Sequence, residues 1–249
     1  MAAVTFDGGP ARSSADRNFF LILVGMVWVG ILSGFGTDSF DHVSKHGLDY
    51  PLIVHAHAVV FVGWLVLFTT QVALIRHGRP DIHRKLGILG LVLACVMVVL
   101  GPATALVVDA RRFETAGQTP EFLAVQFTDM IAFATLTGAG LLMRRDAAVH
   151  KRMMLMGLFY ISNAGWARYL TWLVVGQPGQ NYWQDLAGGY MGGDLLILAL
   201  GVYDLITRKR LYPAYLVGVV WVLALQLTAE WLLYYSAPWK AFTVKLIGH

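Results

Sequence analysis

Seven long apolar stretches govern what this chain can fold into. They lie at residues 18–36, 51–76, 85–108, 122–143, 152–176, 189–207 and 212–236. Each is long enough to cross the hydrocarbon core of a bilayer, which takes about 20 helical residues. Backbone polar groups cannot stay unpaired in lipid, and no alternating barrel pattern is present, so each stretch is predicted to be a helix. The predicted fold is an all-α, polytopic membrane protein with seven transmembrane helices.

The charge content favours the same class. Only 14% of the residues are charged, whereas ordinary soluble domains contain about 25%. The basic residues behind the net charge of +4 lie in short turns between apolar stretches, which is typical of membrane topology and not of nucleic-acid binding. The predicted partners are therefore membrane lipids, with other membrane protein subunits if the chain is an accessory component. The single cysteine, Cys95, excludes an intrachain disulfide and a cysteine-rich zinc site.

The basic turns also predict the orientation. The second, fourth and sixth connections are the ones rich in Lys and Arg, so they and the amino terminus are expected on the cytoplasmic side of the membrane. This divides the chain into a cytoplasmic segment (1–17), a seven-helix domain (18–236) and a periplasmic tail (237–249), and the similar inner turns allow one helix followed by three hairpins. The basic residues are Arg76, Arg79, Arg84, Lys85, Arg144, Arg145, Lys151, Arg152, Arg208, Lys209 and Arg210.

Ionisable side chains interrupt the apolar stretches. An Asp or Arg at the centre of a membrane helix costs roughly 2.5–3.5 kcal/mol on insertion scales, so such groups must be paired, hydrated or used. In the predicted orientation they all fall toward the periplasmic side, which predicts a polar cavity open to that leaflet. The residues expected to line the cavity or bind a cofactor are His57, Trp64, Asp129, Arg168, Asp194 and Glu230, with His55 at the rim.

Helical spacing arranges some of these residues into stripes. His57, Trp64 and Gln71 recur every seven residues and share one face of the second span. His55 lies about 200° around the helix from His57, so His57 is expected to face the interior. On the seventh span, Gln226 and Glu230 lie one turn apart, and on the fourth Gln126 shares a face with Asp129.

Arg168 is expected to pair with one acid of the spans, because a buried Arg prefers bidentate contact with a carboxylate. Its candidate partners are Asp129, Asp194 and Glu230. The charges of the other two acids would then have to be compensated by histidines or a metal, or removed by protonation. Protonation is an option because a buried carboxylic acid can stay neutral.

Four histidines near the outer side are candidate metal ligands. His42 and His46 are four residues apart, the spacing by which many helical metal sites supply two imidazoles. His55 and His57 follow at the start of the second span. The predicted cofactor is a divalent metal or haem, and the alternative is that these histidines are solvated or hydrogen-bonded between helices. Spans four to seven contain no histidine, so a haem would take its second ligand from a loop histidine, a Met or nothing.

One resemblance covers most of the chain. His55-x-His57, Trp64, Gln71 and His83-Arg84-x-x-Gly87 resemble the signature of a family of uncharacterised bacterial multi-pass membrane proteins. The resemblance implies a multi-pass fold in the inner membrane of a bacterium but no activity. The likeness extends to Gly34-Phe35 and to the stretch from Tyr203-Asp204-Leu205 to Tyr212-Pro213, although similar proteins often have His where this chain has Tyr212. The turn His150-Lys151-Arg152-Met153-Met154 also resembles one in small membrane proteins of cytochrome oxidase assembly.

Two functions remain open from the sequence. The first is metal- or redox-dependent chemistry on a membrane-soluble substrate, carried by His57 with Asp129, Asp194 or Glu230. The second is a non-enzymatic transporter, or an accessory or assembly subunit of a larger complex, in which the same acids form a salt-bridge network or a path for protons or solute.

Overall fold

The computed structural model describes residues 14–176, 179 and 181–248, and this part of the chain is all-α, without strands. A 3-10 turn (Pro120–Phe122) precedes the fourth helix, and a π-helical segment (Thr171–Val175) continues the fifth. The described α-helices are α1 (Ser14–His46), α2 (Leu52–Arg76), α3 (Pro80–Ala116), α4 (Leu123–Leu142), α5 (Ala147–Leu170), α6 (Tyr182–Arg208), α7 (Pro213–Tyr235) and α8 (Ala237–Leu246). The predicted all-α class is confirmed.

Local signals set where the helices begin and end. Asp146 caps α5 by accepting hydrogen bonds from the backbone N–H groups of Ala148 and Val149, at 2.8 and 3.1 Å. Pro80 and Pro213 are the first residues of α3 and α7, where the missing N–H costs nothing. Gly117 ends α3 in the left-handed conformation, with φ at 63°. The connections after α2, α4 and α6 are therefore short, and the helices they join are antiparallel.

This alternation gives the bundle two chemically different ends. The turns after α2, α4 and α6 lie at one end with the start of α1, where Lys151 Nζ stands 3.9 Å above the ring of Phe20. We call this the basic end. The connections after α1, α3 and α5 lie at the other end with α8, where Trp239 donates a hydrogen bond to the carbonyl of Glu121 at 3.0 Å. We call this the acidic end.

Six of the described helices are long and apolar enough to cross a membrane: α1, α2, α3, α4 with its preceding turn, α6 and α7. The chain thus has the make-up of a multi-pass membrane protein. The fifth predicted span, now α5, does not reach the same hydropathy. It packs against α1, α4, α6 and α7, and Arg152, Ser162 and Asn163 on it are buried. Because α5 is surrounded by protein, it can carry polar residues that a lipid-facing helix would exclude.

Several helices differ in extent from their predicted spans. α1 continues to His46, through much of the predicted first connection. α6 begins at Tyr182 and not near residue 189, so Asp194 lies about three turns inside the helix instead of at its start. Most of the predicted tail (237–249) is helical and forms α8. Ser236 caps this helix, because its side chain accepts a hydrogen bond from the backbone N–H of Trp239.

Glycines let α5 lie very close to its neighbours. A Cβ on Gly34 of α1 would stand 2.0 Å from the carbonyl oxygen of Gly165, and one on Gly193 of α6 would stand 2.5 Å from that of Phe159. Only glycine permits backbones to approach this far. The contact with α6 fixes the height at which the polar side chains of α5 and α6 face each other.

Candidate functional site

Three carboxylic acids of the spans lie in the interior of the bundle without a cation. Glu230 of α7 is only 3% exposed, and its Oε2 atom is buried with no hydrogen-bond partner in the described part of the chain. The Oδ1 atom of Asp129 on α4 is likewise buried and has no hydrogen-bond partner among the described residues. Asp194 of α6 accepts a hydrogen bond from Gln226 Nε2 at 2.8 Å. Among the described residues, no Lys, Arg or His forms an ion pair with any of the three.

Two tyrosines join these acids. Tyr160 of α5 and Tyr190 of α6 are fully buried, with ring centroids 5.9 Å apart. The Tyr160 hydroxyl interacts electrostatically with Asp129 and Asp194, and that of Tyr190 with Asp129 and Glu230. Both hydroxyls neighbour Thr128, and that of Tyr160 also neighbours Tyr190, but within the described residues neither reaches a partner in ordinary hydrogen-bond geometry. We call this set the acid cluster: Asp129, Tyr160, Tyr190, Asp194, Gln226 and Glu230.

The sequence analysis named the three acids but missed both tyrosines. Tyr190 lies four residues before Asp194 on α6, so the helical spacing could have predicted that both share one face of the helix. Tyr160 carried a weaker signal, because no acid of α5 lies one turn away from it and its one polar neighbour at that spacing is the amide of Asn163. Only the packing of α5 in the centre of the bundle reveals its position.

The acid cluster approaches the surface at the acidic end. Glu230 lies five residues before the end of α7, within electrostatic reach of Tyr182 and Tyr234. The Tyr234 hydroxyl donates a hydrogen bond to Asp185 Oδ2, and both oxygens of Asp185 accept from the N–H of Gly179 at 2.9 Å. Asp185 is half-buried, so it connects the environment of Glu230 with the outside of the bundle.

The expected pairing of Arg168 with an acid of the spans is wrong. Its guanidinium donates to Asp38 Oδ2 of α1 at 3.3 Å and to the carbonyl of Ala164 at 2.5 Å. It also lies 4.0 Å above the ring of Phe35. The reason is the length of α1, which continues past the predicted first span and brings an exposed acid beside the end of α5. Arg168 therefore leaves the acid cluster without a countercharge.

The stripe on α2 faces the interior as predicted, but it does not join the three acids through hydrogen bonds or ion pairs. The half-buried ring of His57 stacks on Phe61, with centroids 3.9 Å apart, and its Nδ1 has no partner in the described chain. Trp64 is 3% exposed and meets Phe133 of α4 edge-on at 5.3 Å. Farther along, Gln71 Nε2 donates to the carbonyl of His83 at 3.1 Å.

The outer candidate ligands form a polar group at the acidic end. His42 Nε2 lies 2.7 Å from Asp49 Oδ1, and its ring stacks on Tyr50 at 4.1 Å. His46 follows one helical turn later, with its ring 5.1 Å from that of His42. The hydrogen bond from His42 holds the pKa of the Asp49 carboxyl below its ordinary value, and the charge of Arg111 acts in the same direction.

His55 stays outside this group and outside the acid cluster. It is exposed, and its Nδ1 lies 3.3 Å from the carbonyl of Pro51. The prediction that His55 and His57 point to different sides is thus confirmed. Across the described residues, no group of three or more His, Cys, Asp or Glu side chains is arranged to hold a metal ion. Ligation of a metal or haem by His42, His46, His55 or His57 stays a prediction.

A buried ion pair near the basic end was not anticipated. Arg152 of α5 and Asp204 of α6 are 1% and 0% exposed, and the guanidinium Nε and Nη2 donate to the two carboxylate oxygens at 2.6 and 2.5 Å. The ring of Tyr212 lies 3.6 Å from the same guanidinium. In the sequence Arg152 was indistinguishable from the other basic turn residues, because nothing local marks its partner 52 positions later.

A cleft of about 230 Å³ opens at the acidic end between α3 and the 3-10 turn. None of the predicted site residues contributes to its walls. It is lined by Asp109, Arg112, Gln118, Thr119 and Phe122.

Comparison with protein-family models, curated proteins and solved structures finds no match to this chain. What the protein does must therefore be argued from its own residues. The resemblance to a family of bacterial multi-pass membrane proteins stays a prediction.

Proposed function

We propose that this is a proton-coupled integral membrane protein, with the acid cluster as its proton-binding centre. The proposal rests on the surroundings of Asp129 and Glu230. In the described chain neither residue is paired with a cation, and each has one buried carboxyl oxygen that accepts no hydrogen bond. A bare carboxylate in such a place is costly, and it is stabilised by gaining a proton, a cation or water. Protonation is the simplest of these, and it is reversible.

The arrangement of the acid cluster suits proton exchange. Tyr160 lies within electrostatic range of Asp129 and Asp194, and Tyr190 of Asp129 and Glu230. A tyrosine hydroxyl can both donate and accept a hydrogen bond. Asp185 and Tyr234 offer a polar connection from Glu230 to the acidic end. Ionisable groups facing the interior of a membrane bundle are the usual components of proton relays in pumps and transporters. This favours the transporter class over metal-dependent chemistry.

The proposed topology completes this picture. α1 to α7 would each cross the inner membrane of a bacterium, with α5 shielded from lipid by its neighbours. The positive-inside rule would put the basic end in the cytoplasm, so that Glu230 and Asp185 communicate with the periplasm. Reporter fusions at the turns after α4 and after α5 test this orientation, because the two turns must report opposite sides.

Infrared spectroscopy of the purified protein tests the proton-binding centre directly. Buried protonated carboxyls absorb as carboxylic acids, so the wild-type protein should show such bands at neutral pH. The bands should diminish in Asp129→Asn and in Glu230→Gln, while Asp49→Asn, which changes an exposed carboxyl outside the spans, is the matched control.

Two results would contradict the proposal. One is a spectrum in which neither cluster variant alters the carboxylic-acid bands. The other is a stoichiometric metal found by elemental analysis of the wild-type protein and lost from Glu230→Gln, which would make the cluster a cation site and restore the metal hypothesis.

A further inference from the structure

Two polar stripes continue from the acid cluster toward the basic end. On α4, Asp129, Phe133, Thr137 and Gly140 recur every three or four residues and share one face. On α2, Trp64 and Gln71 are two turns apart on one face. The edge-on contact between Trp64 and Phe133, at 5.3 Å, shows that the stripes adjoin. The α4 stripe covers about 16 Å along the helix axis, half of a bilayer core.

Four side-chain atoms on these stripes, and one at the start of α3 beside Gln71, are buried and lack protein partners. They are Asp129 Oδ1, Trp64 Nε1, Thr137 Oγ1, Gln71 Oε1 and His83 Nδ1, each without a hydrogen bond in the described part of the chain. In folded proteins more than about 90% of buried polar groups are satisfied by protein or by ordered water. One isolated exception would be a packing fault. Five along one line indicate a common partner, and water is the molecule that can serve donors and acceptors alike.

The line ends at two facing histidines. Gln71 donates to the carbonyl of His83, and His150 Nδ1 lies 2.8 Å from the carbonyl of Gly140, the last residue of the α4 stripe. Since a carbonyl only accepts, His150 Nδ1 carries a hydrogen and Nε2 of the neutral ring keeps its lone pair. The two rings are perpendicular, with centroids 6.1 Å apart. A neutral imidazole offers one nitrogen that donates a hydrogen bond and one that accepts, which is what a proton relay requires.

We propose that a line of internal water connects the acid cluster with His83 and His150 and gives its protons a route to the basic end. The inference rests on the proposed function for its use by protons, but the water itself does not depend on it. With Asp185 and Tyr234 at the acidic end, the protein would then contain a polar path through the whole bundle. His83 and His150 are its exit, among the basic side chains of the turns after α2 and α4.

Radiolytic hydroxyl labelling in ¹⁸O water tests for the internal water on the wild-type protein in lipid nanodiscs. Side chains beside bound water become oxidised even when they are buried. We expect Trp64 to be labelled an order of magnitude faster than Trp28, whose Nε1 donates to Thr69 at 2.9 Å. Tyr160 should likewise exceed Tyr215, a buried tyrosine whose hydroxyl donates to the carbonyl of Ile197. Equal labelling within both pairs would overturn the proposal.

A pair of threonine variants tests the route for protons. Thr137→Val removes a hydroxyl from the line, whereas Thr135→Val changes an exposed threonine of α4 two residues away. In proteoliposomes with an imposed pH gradient, we expect wild-type protein to conduct protons, Thr137→Val to slow this several-fold, and Thr135→Val to leave it unchanged. A wild-type protein that conducts no protons would overturn the route.

The outcomes separate the two proposals. Carboxylic-acid bands that respond to Glu230→Gln, together with a Trp64 that is not labelled, would overturn the water line and leave the proton-binding centre standing. A labelled Trp64 without any such bands would overturn the proton-binding centre and leave the hydrated line.

Discussion

Two of the three carboxylates on helix α6 lie ten residues apart and have opposite surroundings. Asp204 is fully buried and receives two hydrogen bonds from Arg152. Asp194 is half-buried and bonds only to the neutral amide of Gln226 among the described residues. The first carboxylate is held in a buried ion pair with Arg152 of α5, and Arg208 Nε lies 3.8 Å from its Oδ1 atom. The second has no fixed countercharge, so its charge can change during function. The presence of a cationic partner thus distinguishes a structural carboxylate from a candidate functional one better than the degree of burial does.

The largest effect is expected from breaking the complete pair. Arg152→Met leaves the buried Asp204 carboxylate with only the longer contact to Arg208 Nε, at 3.8 Å, which should lower the free energy of unfolding by about 3–5 kcal/mol. Asp194→Asn, with no cation to strand, should cost at most about 1 kcal/mol. Unfolding in mixed micelles measures both.

The double variant Arg152→Met with Asp204→Leu is the control, because replacing both partners by apolar residues removes the stranded charge. It should recover most of the stability. If Arg152→Met alone were harmless, the ion pair would not be the structural element that its geometry indicates.

An intermediate effect is expected at the glycines beside the acid cluster. A Cβ at Gly193 would meet the carbonyl of Phe159 at 2.5 Å, whereas one at Gly189 meets nothing within 4 Å. Gly193→Ala should therefore destabilise by about 1–3 kcal/mol through overpacking, and Gly189→Ala should be neutral or stabilise by up to about 1 kcal/mol. Thermal unfolding of the two variants in the same detergent decides this, and equal melting temperatures would contradict the close approach.

A smaller effect distinguishes two buried tyrosine hydroxyls. Tyr215→Phe removes a hydrogen bond to Ile197 and should cost about 0.5–1.5 kcal/mol. Tyr160→Phe removes a hydroxyl without a partner in the described chain, so its stability should not fall, while the carboxylic-acid bands of the cluster should shift. A loss of stability in Tyr160→Phe, measured by the same unfolding assay, would mean that this hydroxyl is structurally satisfied.

The smallest effect concerns the exposed group at the acidic end. Because His42 lowers the pKa of Asp49 in the folded protein, this contact stabilises the fold above the ordinary Asp pKa of about 3.9, and the contribution disappears as the pH falls through the lowered value. Asp49→Asn should therefore flatten the acid limb of stability against pH slightly. An acid limb identical to that of the wild type would show that the contact contributes nothing in solution.

Periodicity and composition predicted much of the fold, because apolar length and basic turns are local properties. They failed where the determinant was distant. Arg168 was expected beside an acid of the spans, but the extra turns of α1 supply Asp38 instead. The depth of Asp194 was misjudged because the predicted sixth span begins at residue 189, whereas α6 begins at Tyr182.

The candidate site was predicted in part for the same reason. Asp129 and Glu230 were recognisable, since an acid in an apolar stretch is conspicuous. Tyr160 and the partner of Arg152 were not, because a tyrosine is ordinary in a membrane helix and the contact between Arg152 and Asp204 spans 52 residues. Such contacts are settled by packing and cannot be read from spacing.

The central place of α5 also bears on how the protein is made. A ribosome delivers the helices in order, and α5 reaches the insertion machinery with Arg152 before Asp204 of α6 has been synthesised. If α5 crosses the membrane as proposed, the four-residue turn before it would let it enter as a hairpin with the more apolar α4, but the Arg152 cation would stay unmatched until α6 arrives. A nascent chain stalled after α5 should therefore be short-lived and a substrate for membrane proteases, whereas one that includes α6 should persist. Pulse-chase of the two truncated chains measures that difference.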